Sequence, residues 1–251
     1  MRTSALPLTP ARADTVVPPG RAQVDLVIPV TSQQRDLALT VIRLHDFLAG
    51  APFSARVLIA DGGTSDATRA TATGLAAAFA EVSVIHSGAP GREAALRAAW
   101  LRSRSDVVAY LDTDLSVDLA ALVPLVAPLL AGECDVAVGT RLAPGARPLR
   151  SPRRQLLSCG YSLLVQCGLG TGLADPQCGF KAMTRASALD LLPLTSETGW
   201  FLDSQLIALA SRAGLRIREV AVNGCEGGSG SPRRRMLRGV LSRRSYRGNV
   251  A

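Results

Sequence analysis

Short apolar runs alternate with segments of helical period through the first half of the chain, and that alternation leaves few folds open. DLVIPV (25–30), RVLIA (56–60), VSVIH (82–86), DVVAYL (106–111) and CDVAVG (134–139) predict strands. Between them, residues 34–49 place Leu37, Val41, Leu44 and Leu48 on one helical face, and 65–80, 92–102 and 117–131 predict further helices. Strands that alternate with helices form a mostly parallel, doubly wound α/β sheet of the Rossmann-like kind, flanked by helices. Ligands bind such sheets beyond the carboxyl ends of the strands. Asp61 and Asp112 each follow a strand and should face one crevice. Further on, 153–170 predicts an apolar helix, PQCGFKAM (176–183) a strand, 185–192 and 202–213 helices, and 216–222 a last strand. No internal repeat is present.

A chain of 251 residues, 47% hydrophobic, holds one α/β domain with a large core, which Leu, Val and Ala must fill because aromatics are only 4%. The net charge is +8, and Lys181 is the only lysine, so the positive charge is arginine, a planar fork for phosphate and carboxylate. Such a balance suits nucleic acid, an anionic membrane face or phosphorylated small molecules. Nucleic acid is the weakest of these, since no recognition motif accompanies the charge. Cys134, Cys159, Cys167, Cys178 and Cys225 include no Cys-x-x-Cys pair and read as reduced thiols, neither a disulfide framework nor a zinc site. His45 and His86 are too few for a histidine-rich metal site and read as helix-surface or loop residues.

The domain is expected over 23–223. Residues 1–22, rich in proline, read as a disordered lead-in, and 224–251 as a Gly/Ser/Arg-rich tail. No window reaches ~18 uninterrupted apolar residues, so no transmembrane helix is expected. PRRRMLRGVLSRRSYR (232–247) sets Met236, Leu237, Val240 and Leu241 at helical spacing among arginines. That is the pattern of a helix lying in an anionic membrane interface, and equally of a disordered basic tail, since Gly239 interrupts it. The expected location is cytoplasmic, peripheral on the inner face of the membrane.

The stretch AYLDTDLSVDL (109–119) ends a strand on two carboxylates, Asp112 and Asp114. A strand-end Asp-x-Asp suits a hard divalent cation, Mn2+ or Mg2+, that keeps substrate phosphates in its shell. By itself the pair also fits a solvated turn. The neighbouring blocks change the weighting, because they occur in the order found in the family 2 glycosyltransferases of the GT-A fold. VDLVIPV (24–30), ADGGTSDAT (60–68), GREAALRAAW (91–100), YLDTDLS (110–116), VGTRL (138–142), ADPQCGFKAM (174–183) and TGWFLDSQLIALA (198–210) carry the resemblance. Within the family the chain looks most like the dolichyl- and polyprenyl-phosphate glucose and mannose synthases.

The resemblance implies an inverting, metal-dependent transfer of a hexose from a nucleotide sugar, UDP-glucose or GDP-mannose, to polyprenyl phosphate. It implies that Pro29, Asp61, Gly91, Arg92, Asp112, Asp114, Gln177 and Lys181 bind the nucleotide sugar, with Asp61 accepting a ring N–H of the base. Asp112 and Asp114 would hold the metal. Arg141 and Arg154 would fork onto the acceptor phosphate, and Trp200 would wall the acceptor. Asp203 would orient the attacking group or act as base. The bland readings are a turn or helix cap for Asp61 and Asp66, surface arginines for Arg141 and Arg154, core for Trp200, and a helix N-terminal acid for Asp203. The chain departs from the family pattern at Gln33, Gly62, Ser116, Ser158-Cys159 and Gln205, and in NGCEGGSGSP after the last strand. These departures fall mostly on the acceptor side. They keep two alternatives in view: a soluble metabolite as acceptor, or a non-catalytic nucleotide-sugar-binding descendant.

Overall fold

The computed structural model describes residues 22–31, 36–113, 115, 117–141, 178–195 and 202–223, with the backbone alone at Asp203. The predicted lead-in, the 153–170 helix and the basic tail lie outside them. Seven strands form one sheet: β1 (Val24–Val30), β2 (Ala55–Asp61), β3 (Val82–His86), β4 (Val107–Tyr110), β5 (Val136–Thr140), β6 (Lys181–Thr184) and β7 (Ile217–Ala221), in the order β3-β2-β1-β4-β6-β5-β7. Neighbours are parallel except that β6 runs antiparallel to both β4 and β5. All seven residues of β1 are buried, as a central strand covered on both faces requires.

Alternate residues of each strand feed two cores. Leu26 and Ile28 of β1, Val57 and Ile59 of β2 and Ala109 of β4 meet helices α1 (Leu37–Leu48), α2 (Asp66–Ala78) and α4 (Leu122–Leu130). Val27, Leu58, Val108 and Tyr110 meet α3 (Arg92–Arg102), α5 (Arg185–Leu191) and α6 (Leu202–Arg212) on the other face. At the amino edge the fully buried Asp25 accepts two hydrogen bonds of 2.8 Å from Arg56 and one of 2.6 Å from Ser103 Oγ, so its charge is matched where water is absent.

The predicted helix 117–131 is divided. A 3-10 turn over Leu119–Ala121, capped by Asp118, precedes α4. Pro124 has no N–H to give the carbonyl of Ala120, so an α-helix can begin only about one turn before it. β4 ends at Tyr110, so Leu111 separates the strand from Asp112, although the Leu111 N–H still donates to the Val27 carbonyl at 3.1 Å. Among the described residues no helix is long and apolar enough to cross a membrane, and the cysteines among them, Cys134 and Cys178, are buried.

Candidate active site

The chain leaves β1 toward β2 on one side and pairs β1 with β4 on the other, so the sheet reverses its winding between β1 and β4. That reversal splits the carboxyl edge. Pairing of β1 with β4 stops at Val27 and Tyr110, while β1 continues to Val30 beside β2. The Val27 carbonyl faces β4 and the Val30 carbonyl faces β2, where it accepts from Gly62 N–H at 2.8 Å. Pro29, two residues after Val27, therefore presents its missing N–H to the place where β4 has already ended. A proline is tolerated in this central strand because no ladder bond is lost.

On the β2 side of the split, Asp61 closes a turn on itself. Its Oδ1 accepts from the N–H groups of Gly63 at 3.0 Å and Thr64 at 2.8 Å. Its Oδ2 accepts from Arg69 Nε at 3.3 Å and His86 Nδ1 at 3.0 Å. Burial pushes the carboxyl up, but the backbone N–H of Thr64, His86 and Arg69 outweigh it and hold the pKa down at about 2. Ser65 caps α2 by accepting from Thr68 N–H. Gly62 packs on Gly91: a Cβ at Gly62 would overlap the Gly91 carbonyl, and Gly91 N–H donates to the Gly62 carbonyl at 2.9 Å. In this chain the contact leaves no room for a side chain at position 62. Gly91, at φ 118°, caps α3 and turns its N-terminus toward the carboxyl edge, where a helix end attracts anions.

On the β4 side, Arg92, the first residue of α3, donates to Asp112 Oδ1 at 2.8 Å. Its guanidinium stands 5.0 Å over the Tyr110 ring. Lys181, the first residue of β6, reaches the same edge because β6 runs backwards. Its ammonium is 5.8 Å from the centre of the Tyr110 ring and 3.5 Å from the Tyr110 hydroxyl, and donates to the Cys178 carbonyl at 2.6 Å. Lys181 is fully buried there. Asp112 lies against bare backbone at Gly179, where a Cβ would overlap its Oδ2. Asp112, Gly179 and Phe180, with Leu111, Leu115, Val117 and Leu119, line a cleft.

The turn after Asp112 is braced from α1. The buried Thr40 donates through Oγ1 to the carbonyl of Thr113 at 2.6 Å. Leu115 then takes a left-handed backbone, φ 43°, with its N–H on the Asp112 carbonyl at 3.2 Å. A leucine there costs about 1–2 kcal/mol, offset by packing of its side chain against the α1 and α4 core. The Asp112 carboxylate is 40% exposed, offers hard oxygen donors and has a glycine opposite it. This donor chemistry fits Mn2+ or Mg2+. Among the described residues no three potential ligands gather, and Asp114, the second carboxylate of the pair, lies outside them.

The structure thus brings Pro29, Asp61, Gly91, Arg92, Asp112 and Lys181 to one edge. Arg141 follows β5 there. Asp203 falls in the first turn of α6. Asp114, Arg154, Gln177, Trp200, Gln33, Ser116, Ser158 and Cys159 lie outside the described residues. Sequence reasoning missed Tyr110, Thr40, Gly179, Arg69 and His86. His86 is the last residue of β3 and no loop residue, and the pairing of β3 with β2 sets it beside Asp61.

Relatives agree with this architecture. The family model of Glycosyl transferase family 2 matches residues 26–192. Glycosyltransferase AglD of Haloferax volcanii is 36% identical over 186 residues, covering 74% of this chain and 30% of that protein. Dolichyl-phosphate beta-glucosyltransferase ALG5A of Trichomonas vaginalis is 27% identical over 175 residues, 68% of this chain and 54% of that protein. The Drosophila melanogaster dolichyl-phosphate beta-glucosyltransferase is 30% identical over 191 residues, 71% of this chain and 58% of its own. The chain therefore spans less than two thirds of each. Glucosyl-3-phosphoglycerate synthase from Mycobacterium tuberculosis, solved with Mn2+, UDP and glucosyl-3-phosphoglycerate, superposes with a TM-score of 0.65 at 17% identity, over 88% of this chain and 76% of that one. The same enzyme with Mn2+ and UDP-glucose gives 0.63 at 20% identity. These likenesses show the GT-A fold.

Proposed function

Because the chain belongs to glycosyl transferase family 2, we propose that it moves glucose from UDP-glucose to a polyprenyl phosphate, with inversion and with a divalent cation. One observation carries this reading: at the split in the sheet, Asp112 stands against bare backbone with the N-terminus of α3 and Arg92 beside it. That is a place for a diphosphate. The relatives named dolichyl-phosphate beta-glucosyltransferases support glucose as the sugar and a lipid phosphate as the acceptor. A structural neighbour bound to Mn2+ and UDP-glucose supports the donor.

In the reaction, the bond from the anomeric carbon to the UDP oxygen breaks, and UDP leaves with the electron pair. An oxygen of the acceptor phosphate forms the new bond from the opposite face. Asp112 and Asp114 would hold the cation, which would supply Lewis-acid neutralisation of the leaving diphosphate. Arg92 and the α3 N-terminus add fixed positive charge where negative charge gathers. Gln177 and Lys181 shape the sugar and phosphate site. Arg141 and Arg154 fork onto the acceptor phosphate, and Trp200 walls the lipid. A phosphate monoester is already anionic at neutral pH, so Asp203 orients the acceptor and need not be a strong base. The basic tail at 232–247 keeps the domain beside an anionic membrane face, the cytoplasmic one.

The test is a transfer assay with Mn2+ that pairs UDP-glucose or GDP-mannose with a short polyprenyl phosphate or 3-phosphoglycerate, beside an Asp114→Ala control. Metal-dependent lipid-linked glucose, lost in the control, is the expected result. Mannose transfer would move the donor to GDP-mannose. Product on phosphoglycerate alone would move the acceptor to soluble metabolites. Donor binding with no product on either acceptor would make the chain a non-catalytic descendant.

A further inference from the structure

Thr40 lies on the buried face of α1 with Leu37, Val41 and Leu44 and is 2% exposed. Packing at such a position asks for apolar volume, which a valine would supply as well. A threonine inside a helix often turns its hydroxyl back to the carbonyl four residues earlier. Thr71 and Thr73 of α2 do so, donating to the carbonyls of Ala67 and Arg69 at 3.0 Å. The Thr40 hydroxyl instead leaves its helix and donates to the carbonyl of Thr113, 73 residues along the chain, at 2.6 Å.

That carbonyl belongs to the peptide that joins Thr113 to Asp114, and a peptide is planar. The hydroxyl therefore orients the link between the two carboxylates of the Asp-x-Asp. Two backbone bonds tie the same turn: Leu111 N–H to the Val27 carbonyl at 3.1 Å, and Leu115 N–H to the Asp112 carbonyl at 3.2 Å. Leu115 stands at φ 43°, a conformation that persists only where its surroundings hold it. Building on the proposed metal-dependent transfer, we infer that Thr40 is a positioning residue for the cation, acting through the turn that carries Asp112 and Asp114. A cation that takes oxygens from both carboxylates needs them at a fixed spacing. Without the hydroxyl the turn must be ordered as the metal binds, at the expense of affinity.

The test is titration of Mn2+ into the full chain with UDP present, the free ion read by electron paramagnetic resonance. Wild type is compared with Thr40→Val, Thr40→Ala and Thr40→Ser, and each is also melted and titrated with UDP in the absence of metal. Thr40→Val and Thr40→Ala should weaken Mn2+ binding about tenfold, the lower end of the usual loss when a group that orients metal ligands is removed. Metal-free UDP binding should be unchanged. Thr40→Ser keeps the hydroxyl and should restore the Mn2+ affinity, a recovery that a bond serving the fold alone would not produce. Unchanged Mn2+ affinity in a folded Thr40→Val or Thr40→Ala chain would overturn the inference. So would loss of the fold in both, an equal loss of metal-free UDP binding, or a Thr40→Ser chain no better than Thr40→Val. A wild-type chain that takes up no Mn2+ with UDP would overturn the metal-dependent reading itself, and this inference with it.

Discussion

Asp61 carries charge in a place that water scarcely reaches, and its hydrogen bonds decide what that costs. Its pKa falls from 3.8 to about 2 on folding, because the Thr64 N–H, His86 and Arg69 outweigh the opposing effect of burial. The folded value lies below the unfolded one, so the carboxylate contributes stability that is fully present above the unfolded pKa. That contribution is lost as pH falls through the folded pKa. A shift of this size is worth about 2 kcal/mol. Urea unfolding should find Asp61→Asn less stable than wild type by about that amount at neutral pH, with the gap closing between the two pKa values. A gap that persists in acid would assign the loss to packing. Asp61 was legible as a turn aspartate at a strand end. Its saturation was not, because two of its four donors come from elsewhere in the fold, Arg69 from α2 and His86 from β3.

Two glycines set how the elements meet. Gly62 lets the loop after β2 lie on the start of α3, and a Cβ there would strike backbone that cannot turn aside. Gly62→Ala should therefore lower stability by about 1–3 kcal/mol, the usual cost of overpacking, read as a lower denaturation midpoint with an unchanged m-value. Gly179 differs because its neighbour is the end of the Asp112 side chain, which can swing away. Gly179→Ala should barely move the melting temperature, yet should weaken Mn2+-dependent UDP binding about tenfold or more by taking a hard donor out of place. Loss of both stability and binding in this variant would mean that β6 itself had shifted. Gly62 was noted in the sequence as a departure from the family pattern, and Gly179 lay within a recognised block. Neither could be assigned its role, because the atoms that exclude a side chain belong to other segments.

At the scale of the molecule, the seven-stranded sheet sets Asp61, Asp112, Arg92 and the buried Lys181 along one edge, and the net charge of +8 favours anionic partners. If the basic tail adds membrane attraction, a chain ending at residue 223 should co-sediment less with anionic vesicles. The difference should fade as salt shortens the Debye length below about 10 Å; equal binding would leave the tail without that role. The sequence by itself determined the strand and helix alternation, the Asp-x-Asp at a strand tip and the α/β class, because each is written in local period and composition. Only the tertiary structure decided that β6 runs backwards between β4 and β5, which carries Lys181 to the carboxyl edge and buries it against Tyr110. It alone paired Arg92 with Asp112 and closed His86 and Arg69 onto Asp61. Strand direction and these pairings depend on contacts between residues far apart in the chain, which no local pattern specifies.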